Sequence, residues 1–404
     1  MVTRVENAYK KNVIQKLQNY SDICRTKFID KYMRTLPFKD SEVFDATQVV
    51  FDDVAFVNGM KQYLPTELVD YFLRTKDDIH SVFDFQSKLT APFLLAVQQA
   101  SMRSRTISGI EHLSGRHLFI CNHRDIVLDP CFVNMAFYEN GIETCEVAIG
   151  SNLVKQQITD YLFKLNRSFI VHREGNPREL YQHSVNLSNY IKDLIGNDKA
   201  SVWLAQREGR AKDGNDNTQQ GVVKMLSMAK DGDLIEHFKS LNIVPITITY
   251  EFDPCDILKT QEFIEKQHNP NFKKTFKQDV QNMLIGIQGN KGRTHFHFDA
   301  VLNEQLESLT AIKRPKEQLA AITKLLDKVI QGNFRLFEIN YVAHDILNNS
   351  SAYKEKYTEA EYAFYKKEFD EKLSIFNEND YESAKQYLLG IYANPVINYA
   401  KSKS

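Results

Sequence analysis

His117-Leu118-Phe119-Ile120-Cys121 is an apolar, β-rich run that passes directly into Asn122-His123-Arg124-Asp125, with Asp129 one helical turn further on. Two more runs end the same way. Residues 168–171 lead into His172-Arg173-Glu174-Gly175, and residues 201–204 lead into Gln206-Arg207-Glu208-Gly209-Arg210, followed by Lys212, Asp213 and Gly214. Short apolar runs bounded by polar clusters read as buried strands. Further runs of this kind occupy 147–149, 243–250 and 294–298.

Helical patterns separate the strands, and the clearest covers 177–195. Asn176 and Glu179 form an N-cap and capping-box pair, Pro177 stands at the first helical position, and Gly196 ends the helix. Leu180, Leu187, Ile191 and Leu194 make its apolar face. Strands alternating with such helices predict an α/β core, a sheet with both faces covered, over 106–302.

Working outward, residues 1–105 read as a helical N-terminal region, with Leu68, Phe72, Ile79, Val82 and Phe83 at helical spacing. Residues 303–404 read as a helical C-terminal region. There Pro315 opens a helix whose stripe is Leu319, Ile322, Leu326 and Val329, and Gly332 closes it.

Composition narrows the function classes. The 404 residues carry 51 Lys+Arg against 52 Asp+Glu, a formal net charge of −1, which argues against a generally basic nucleic-acid binder. Cys24, Cys121, Cys131, Cys145 and Cys255 are scattered and form no C-x-x-C pair, so a reducing cytoplasm is expected. Arg4, Glu6, Lys10 and Lys11 precede any apolar stretch, which is unlike a signal peptide. The most apolar windows, 91–97 and 243–248, fall well short of the ~20 residues that cross a bilayer. Lys10, Lys11, Val13, Ile14 and Leu17 offer an amphipathic stretch, the pattern of an ordinary surface helix or of a membrane-surface contact.

In open α/β sheets, ligands sit outside the carboxyl ends of the strands. Three polar knots there, each with at least one Arg, predict a pocket for an anionic group, because the guanidinium fork matches phosphate or carboxylate. The His123 imidazole beside a carboxylate is a candidate general base, with Asp125 and Asp129 both candidates for its partner.

The order and spacing of the knots resemble the glycerolipid acyltransferase family, which includes glycerol-3-phosphate and 1-acylglycerol-3-phosphate acyltransferases. The matching blocks are Asn122-His123 with Asp129; Ser168-Phe169-Ile170-Val171-His172-Arg173; Glu208-Gly209-Arg210; and Ile243-Val244-Pro245-Ile246. The likeness spans roughly 105–302 and implies an α/β fold with a mixed sheet flanked by helices, between helical N- and C-terminal extensions. There are two departures. Five residues rather than four separate His123 from Asp129, with Leu128 at the usual Asp place, and the third block is one residue shorter than Glu-Gly-Thr-Arg.

The resemblance implies direct acyl transfer from acyl-CoA or acyl carrier protein to a hydroxyl of a phosphorylated glycerol acceptor, either glycerol 3-phosphate or its 1-acyl form. It needs no cofactor and no metal. His123 would be the base and Asp129 or Asp125 its orienting partner. Arg173, with Arg210, Arg207 and Lys212, would hold the acceptor phosphate; Glu208 would bind an acceptor hydroxyl. Backbone N–H groups around 208–210 would face the oxyanion, with Gly209 in that turn, and Asn122 and Pro245 complete the motifs. The expected setting is the cytoplasmic face of a membrane, by peripheral contact. Two rival readings are a non-catalytic lipid- or acyl-binding protein and a metallohydrolase using His295 and His297, which alternate with Phe296 on one strand.

Overall fold

The computed structural model describes residues 35–404, so Cys24 and the amphipathic stretch of Lys10, Lys11, Val13, Ile14 and Leu17 lie outside the described residues. Seven strands form a single mixed sheet: β1 Met102–Ser108, β2 Leu118–Cys121, β3 Glu146–Gly150, β4 Ser168–Val171, β5 Val202–Ala205, β6 Ile243–Tyr250 and β7 Gly292–Phe298. Their order is β1-β7-β6-β2-β5-β3-β4. Strands β2 to β6 run parallel to one another, β7 lies antiparallel on β6, and β1 runs parallel to β7.

The period of two along each strand divides the core into two layers. Leu118 and Ile120 of β2, with Val202 and Leu204 of β5, face the helices Pro177–Gly196 and Pro315–Gly332 through Ile191, Leu194, Ile322, Leu326 and Ile330. Phe119 and Cys121, with Trp203, face the opposite layer, where helix Leu128–Glu139 contributes Phe132, Val133 and Phe137. Both faces of β2 are therefore covered, and its four residues are all buried.

The helix over 177–196 carries the Asn176–Glu179 capping box expected from its sequence. Strand β1 is an addition to the sequence reading, and it crosses the 105/106 junction. It pairs on one side only, with β7, and its exposed Arg103 and Ser104 give it no apolar run to signal a strand. Helices between Asp40 and Ser101 precede it. The C-terminal helices Glu338–Leu347, Glu359–Leu373 and Glu378–Lys403 form a core of their own against Ile264 of helix Asp256–His268. Among the described residues, no helix is long and apolar enough to cross a membrane.

Candidate active site

The parallel run β6-β2-β5-β3-β4 places all three polar knots at one edge of the sheet. At the end of β2, Asn122 fastens the turn to the neighbouring strand. Its Oδ1 accepts the Ile248 N–H at 2.8 Å, and its Nδ2 donates to the Ile248 carbonyl at 3.0 Å and to Asp216 Oδ2 at 3.2 Å. The next residue, His123, is thereby held at the rim, with its side chain 13% exposed.

The two carboxylates that compete for His123 in the sequence have separate roles. Asp129, on the first turn of helix Leu128–Glu139 and fully buried, accepts from His123 Nδ1 at 3.0 Å on its Oδ2. The same oxygen accepts the backbone N–H groups of Arg124 at 2.6 Å and Asp125 at 2.9 Å. Asp125 instead turns back on the chain. Its Oδ1 accepts from the Val127 N–H at 2.9 Å and the Leu128 N–H at 2.8 Å, satisfying donors at the helix start. The extra residue between His123 and Asp129 is absorbed by this turn. Burial, with the Asp129 charge beside it, raises the Asp125 pKa above the usual carboxylate range.

Sequence reasoning did not find Tyr250 and Asp216. The Tyr250 hydroxyl donates to Asp129 Oδ1 at 3.0 Å, and Asp216 takes Arg124 Nη1 at 3.4 Å besides Asn122. Pro245 lies in β6 opposite Ile120, at the level where the β7 ladder ends. Its carbonyl accepts the Asp299 N–H at 3.0 Å, so a missing N–H there interrupts no pairing.

The second knot carries Arg173 past β4. Its guanidinium lies against Gly150, where a Cβ would come within 2.7 Å of it and would push it aside. Arg173 Nη1 is 3.4 Å from Glu208 Oε1, the side chains being 33% and 66% exposed, which makes this a weak, solvent-screened pair.

In the third knot, the Gln206 N–H donates to Cys121 O at 2.8 Å and the Ala211 N–H to His123 O at 3.1 Å, so the β5 loop is laced to the His123 turn. Gly209 adopts φ +68°, the left-handed turn that favours glycine. Arg207, Arg210 and Lys212 line an open cleft of ≈ 670 Å³ whose wall includes the stacked rings of Phe263 and Tyr387. Two of these arginines bring buried donors without a hydrogen-bond partner among the described residues, Nε of Arg207 and Nη1 of Arg210.

The predicted ligands in this loop differ in their commitments. Arg210 is 6% exposed, and its Nη2 donates to Asn282 Oδ1 at 3.3 Å. Burial alone would lower its pKa, but Cys255, Asp125 and Asp253 around it raise it. Lys212 is ion-paired to Glu262, and burial lowers its pKa. The Glu208 N–H donates to Gln219 Oε1 at 2.7 Å. That corrects one expectation: the N–H of residue 208 is already taken and is not one of the donors facing an oxyanion. Asn394 and Asn398 of the C-terminal helix donate to Asp213 O at 2.6 Å and Asn215 Oδ1 at 3.2 Å, bracing the loop from a distance no local motif reveals.

His295 and His297 lie on the half-exposed face of β7, and Phe296 and Phe298 point into the core. His295 meets Thr106 Oγ1 at 2.8 Å and Ser108 Oγ at 3.2 Å through its two ring nitrogens; His297 Nδ1 meets Ser108 Oγ at 2.8 Å. The pair fastens β7 to the hydroxyls of β1, in place of the metal-ligand role weighed from sequence. Among the described residues, no group of three or more His, Cys, Asp or Glu is arranged to hold a metal ion.

Comparison with known proteins gives two results. Residues 104–249 match the family model described as Acyltransferase. Among solved structures, the chain is similar to the 1-acyl-sn-glycerophosphate (LPA) acyltransferase PlsC from Thermotoga maritima, at 11% sequence identity and a TM-score of 0.34, over 68% of this chain and 95% of that one. No curated protein matches the chain.

Proposed function

We propose, from the match of residues 104–249 to the Acyltransferase family model, that the chain moves a fatty acyl group from an acyl thioester, acyl-CoA or acyl carrier protein, to a hydroxyl of glycerol 3-phosphate or its 1-acyl form. The observation that carries this reading is the His123 Nδ1–Asp129 Oδ2 contact of 3.0 Å at the end of β2, beside a cleft with unpaired arginine donors.

The chemistry follows from the geometry. With Nδ1 held by Asp129, His123 offers Nε2, which has no hydrogen-bond partner among the described residues. Nε2 takes the acceptor's hydroxyl proton as that oxygen attacks the thioester carbonyl carbon. The tetrahedral oxyanion collapses with cleavage of the C–S bond, and the imidazolium returns the proton to the departing thiolate. Asp129 stabilises the imidazolium while it exists. General-base help of this kind contributes ~10²–10⁴-fold.

Arg173 and Arg207 meet the acceptor phosphate, Arg173 exchanging its exposed Glu208 partner for a bidentate anion. Lys212 completes the positive wall, with the buried Arg210 charge behind it. Glu208, released, accepts from a second acceptor hydroxyl. Neither a cofactor nor a metal enters this scheme. A lipid acceptor or product places the reaction at a membrane surface, reached by peripheral contact from the cytoplasmic side. The test is incubation of the purified protein with acyl-CoA or acyl carrier protein thioesters and a panel of acceptors, with products identified by mass. A phosphorylated acylglycerol that disappears in His123→Ala is expected. Equal inactivity of wild type and variant with every acceptor would support a binding protein instead.

A further inference from the structure

We propose that Tyr250 is a positioning residue for the His123–Asp129 pair, orienting the carboxylate through its hydroxyl and so setting the basicity of the histidine. The proposal rests on the reading of His123 as the general base.

The four hydrogen bonds at Asp129 divide unequally. Oδ2 takes His123 Nδ1 and the Arg124 and Asp125 N–H groups, whereas Oδ1 takes the Tyr250 hydroxyl at 3.0 Å. Asp129 is fully buried, so without that hydroxyl Oδ1 would have neither water nor a protein donor among the described residues. Three donors on one oxygen fix a point, and the fourth on the other oxygen fixes the plane of the carboxylate and thus the direction from which it meets the imidazole.

The donor is delivered by rigid structure. Tyr250 is the last residue of β6, 4% exposed, with its ring 6.5 Å from that of Phe296. The Asn122 bonds to Ile248 tie β2 to β6 two residues earlier. Histidine and tyrosine are thus carried on neighbouring parallel strands whose separation the Asn122 staple sets. Burial and the Asp129 and Asp125 charges push the Tyr250 pKa well up, so the phenol keeps its proton and acts as donor.

Removing the hydroxyl concentrates the negative charge of Asp129 on fewer donors and strengthens its attraction for the imidazolium. The expected effect is a higher His123 pKa and a smaller fraction of neutral base at pH 7. The other charged and titratable groups around the pair are Arg124 and Asp125 on its own turn, Cys121 on β2, Cys131 on the helix, Asp216 and Arg210 from the β5 loop, and Lys291 before β7. Tyr250→Phe alters none of them.

The experiment is NMR titration of the His123 ring in wild type, Tyr250→Phe and Phe296→Leu, alongside acyl-transfer rates across pH. In Tyr250→Phe, the His123 pKa should rise by roughly half a unit to one unit. Its kcat should fall about threefold at pH 7, with the acid limb moved to higher pH and the acceptor KM little changed. Phe296→Leu loosens the same packing but keeps the hydroxyl, and should leave the His123 pKa in place. If Tyr250→Phe does not fold, 3-fluorotyrosine placed at 250 alone supplies a more acidic donor and should lower the His123 pKa instead. An unmoved or oppositely moved His123 pKa would overturn the positioning role. Absence of turnover in wild type would sink the acyltransferase reading while leaving the titration to judge Tyr250 on its own.

Discussion

The turns after β2 and β5 lie side by side at one edge of the sheet, yet they are finished to different degrees. In the β2 turn, every acceptor oxygen of Asp129 has its donor and Asp125 is engaged with the helix start. In the β5 turn, buried N–H groups of Arg207 and Arg210 lack partners among the described residues, and both residues border a cleft that opens to solvent. A buried donor without a partner costs ~1–3 kcal/mol, so acceptor oxygens that reached either of them would be favoured. On the proposed function, proton transfer falls to a preorganised turn and anion capture to an unsaturated one.

The sharpest way to break that division is to compare the two aspartates of the β2 turn. Asp129→Asn should cut kcat by ~10²–10⁴-fold, because the imidazolium loses its charge partner. The fold should survive. The amide oxygen can face the Arg124 and Asp125 N–H groups and His123, while its NH₂ donates to the Tyr250 oxygen. Asp125→Ala removes the bonds to Val127 and Leu128 and a buried charge near Arg210 and Lys291, and should lower stability by ~1 kcal/mol with kcat within a few-fold. Steady-state rates with thermal unfolding of both variants make the comparison. Equal losses of kcat would mean that the pairing seen at His123 does not persist during turnover.

A smaller effect is expected where the anion is held. Arg173→Ala should raise KM for a phosphorylated acceptor by roughly 10–100-fold, the worth of one or two charge-assisted bonds, and change kcat less. Gly150→Ala is the finer probe. The new Cβ would crowd the Arg173 guanidinium at 2.7 Å and Asn152 Oδ1 at 2.5 Å, while the backbone at φ −73° tolerates any residue. It displaces the positive charge without deleting it, and a severalfold rise in the same KM is expected. A fall in kcat at unchanged KM in either variant would mean that Arg173 belongs to the chemical step rather than to capture.

The strands at Ser168–Val171 and Ile243–Tyr250 and the helix at Pro177–Gly196 were legible because local signals agree there: apolar runs, a capping box, a proline at the start. Strand β1 was not, since an edge strand paired on one side needs little apolar content to form. Within the site, spacing brought His123, Asp125 and Asp129 to one turn but left their pairing open. That is decided by Asp125 folding back onto the Val127 and Leu128 N–H groups, a torsional detail. Tyr250 and Asp216 meet the turn across 121 and 92 residues of sequence, from Asp129 and Arg124 respectively, and no periodicity points from one to the other. Arg210 was read with the ligand-facing arginines, and long-range packing places it largely out of solvent, on Asn282.

The weakest expected effect concerns the histidines at the other end of the contrast. His123 sits at a strand end with one nitrogen uncommitted, whereas both His295 nitrogens are bonded to β1 hydroxyls. Burial, then the charges of Arg335 and His297, pull the His295 pKa down to about 4. An unfolded histidine titrates near ~6.5. Between these values the unfolded chain binds the extra proton, so the His295 contribution to stability is complete above pH ~6.5 and lost as pH falls toward 4. Denaturant unfolding at pH 7 and pH 5 should show wild type losing on the order of 1 kcal/mol more than His295→Gln, whose amide can keep one hydroxyl bond and carries no titratable charge. An equal acid loss in the two proteins would mean that the ring leaves the β1–β7 edge readily and protonates in water. The strand pairing there would then depend on backbone bonds alone, and the histidine face of β7 would be open to whatever the β1 hydroxyls now exclude.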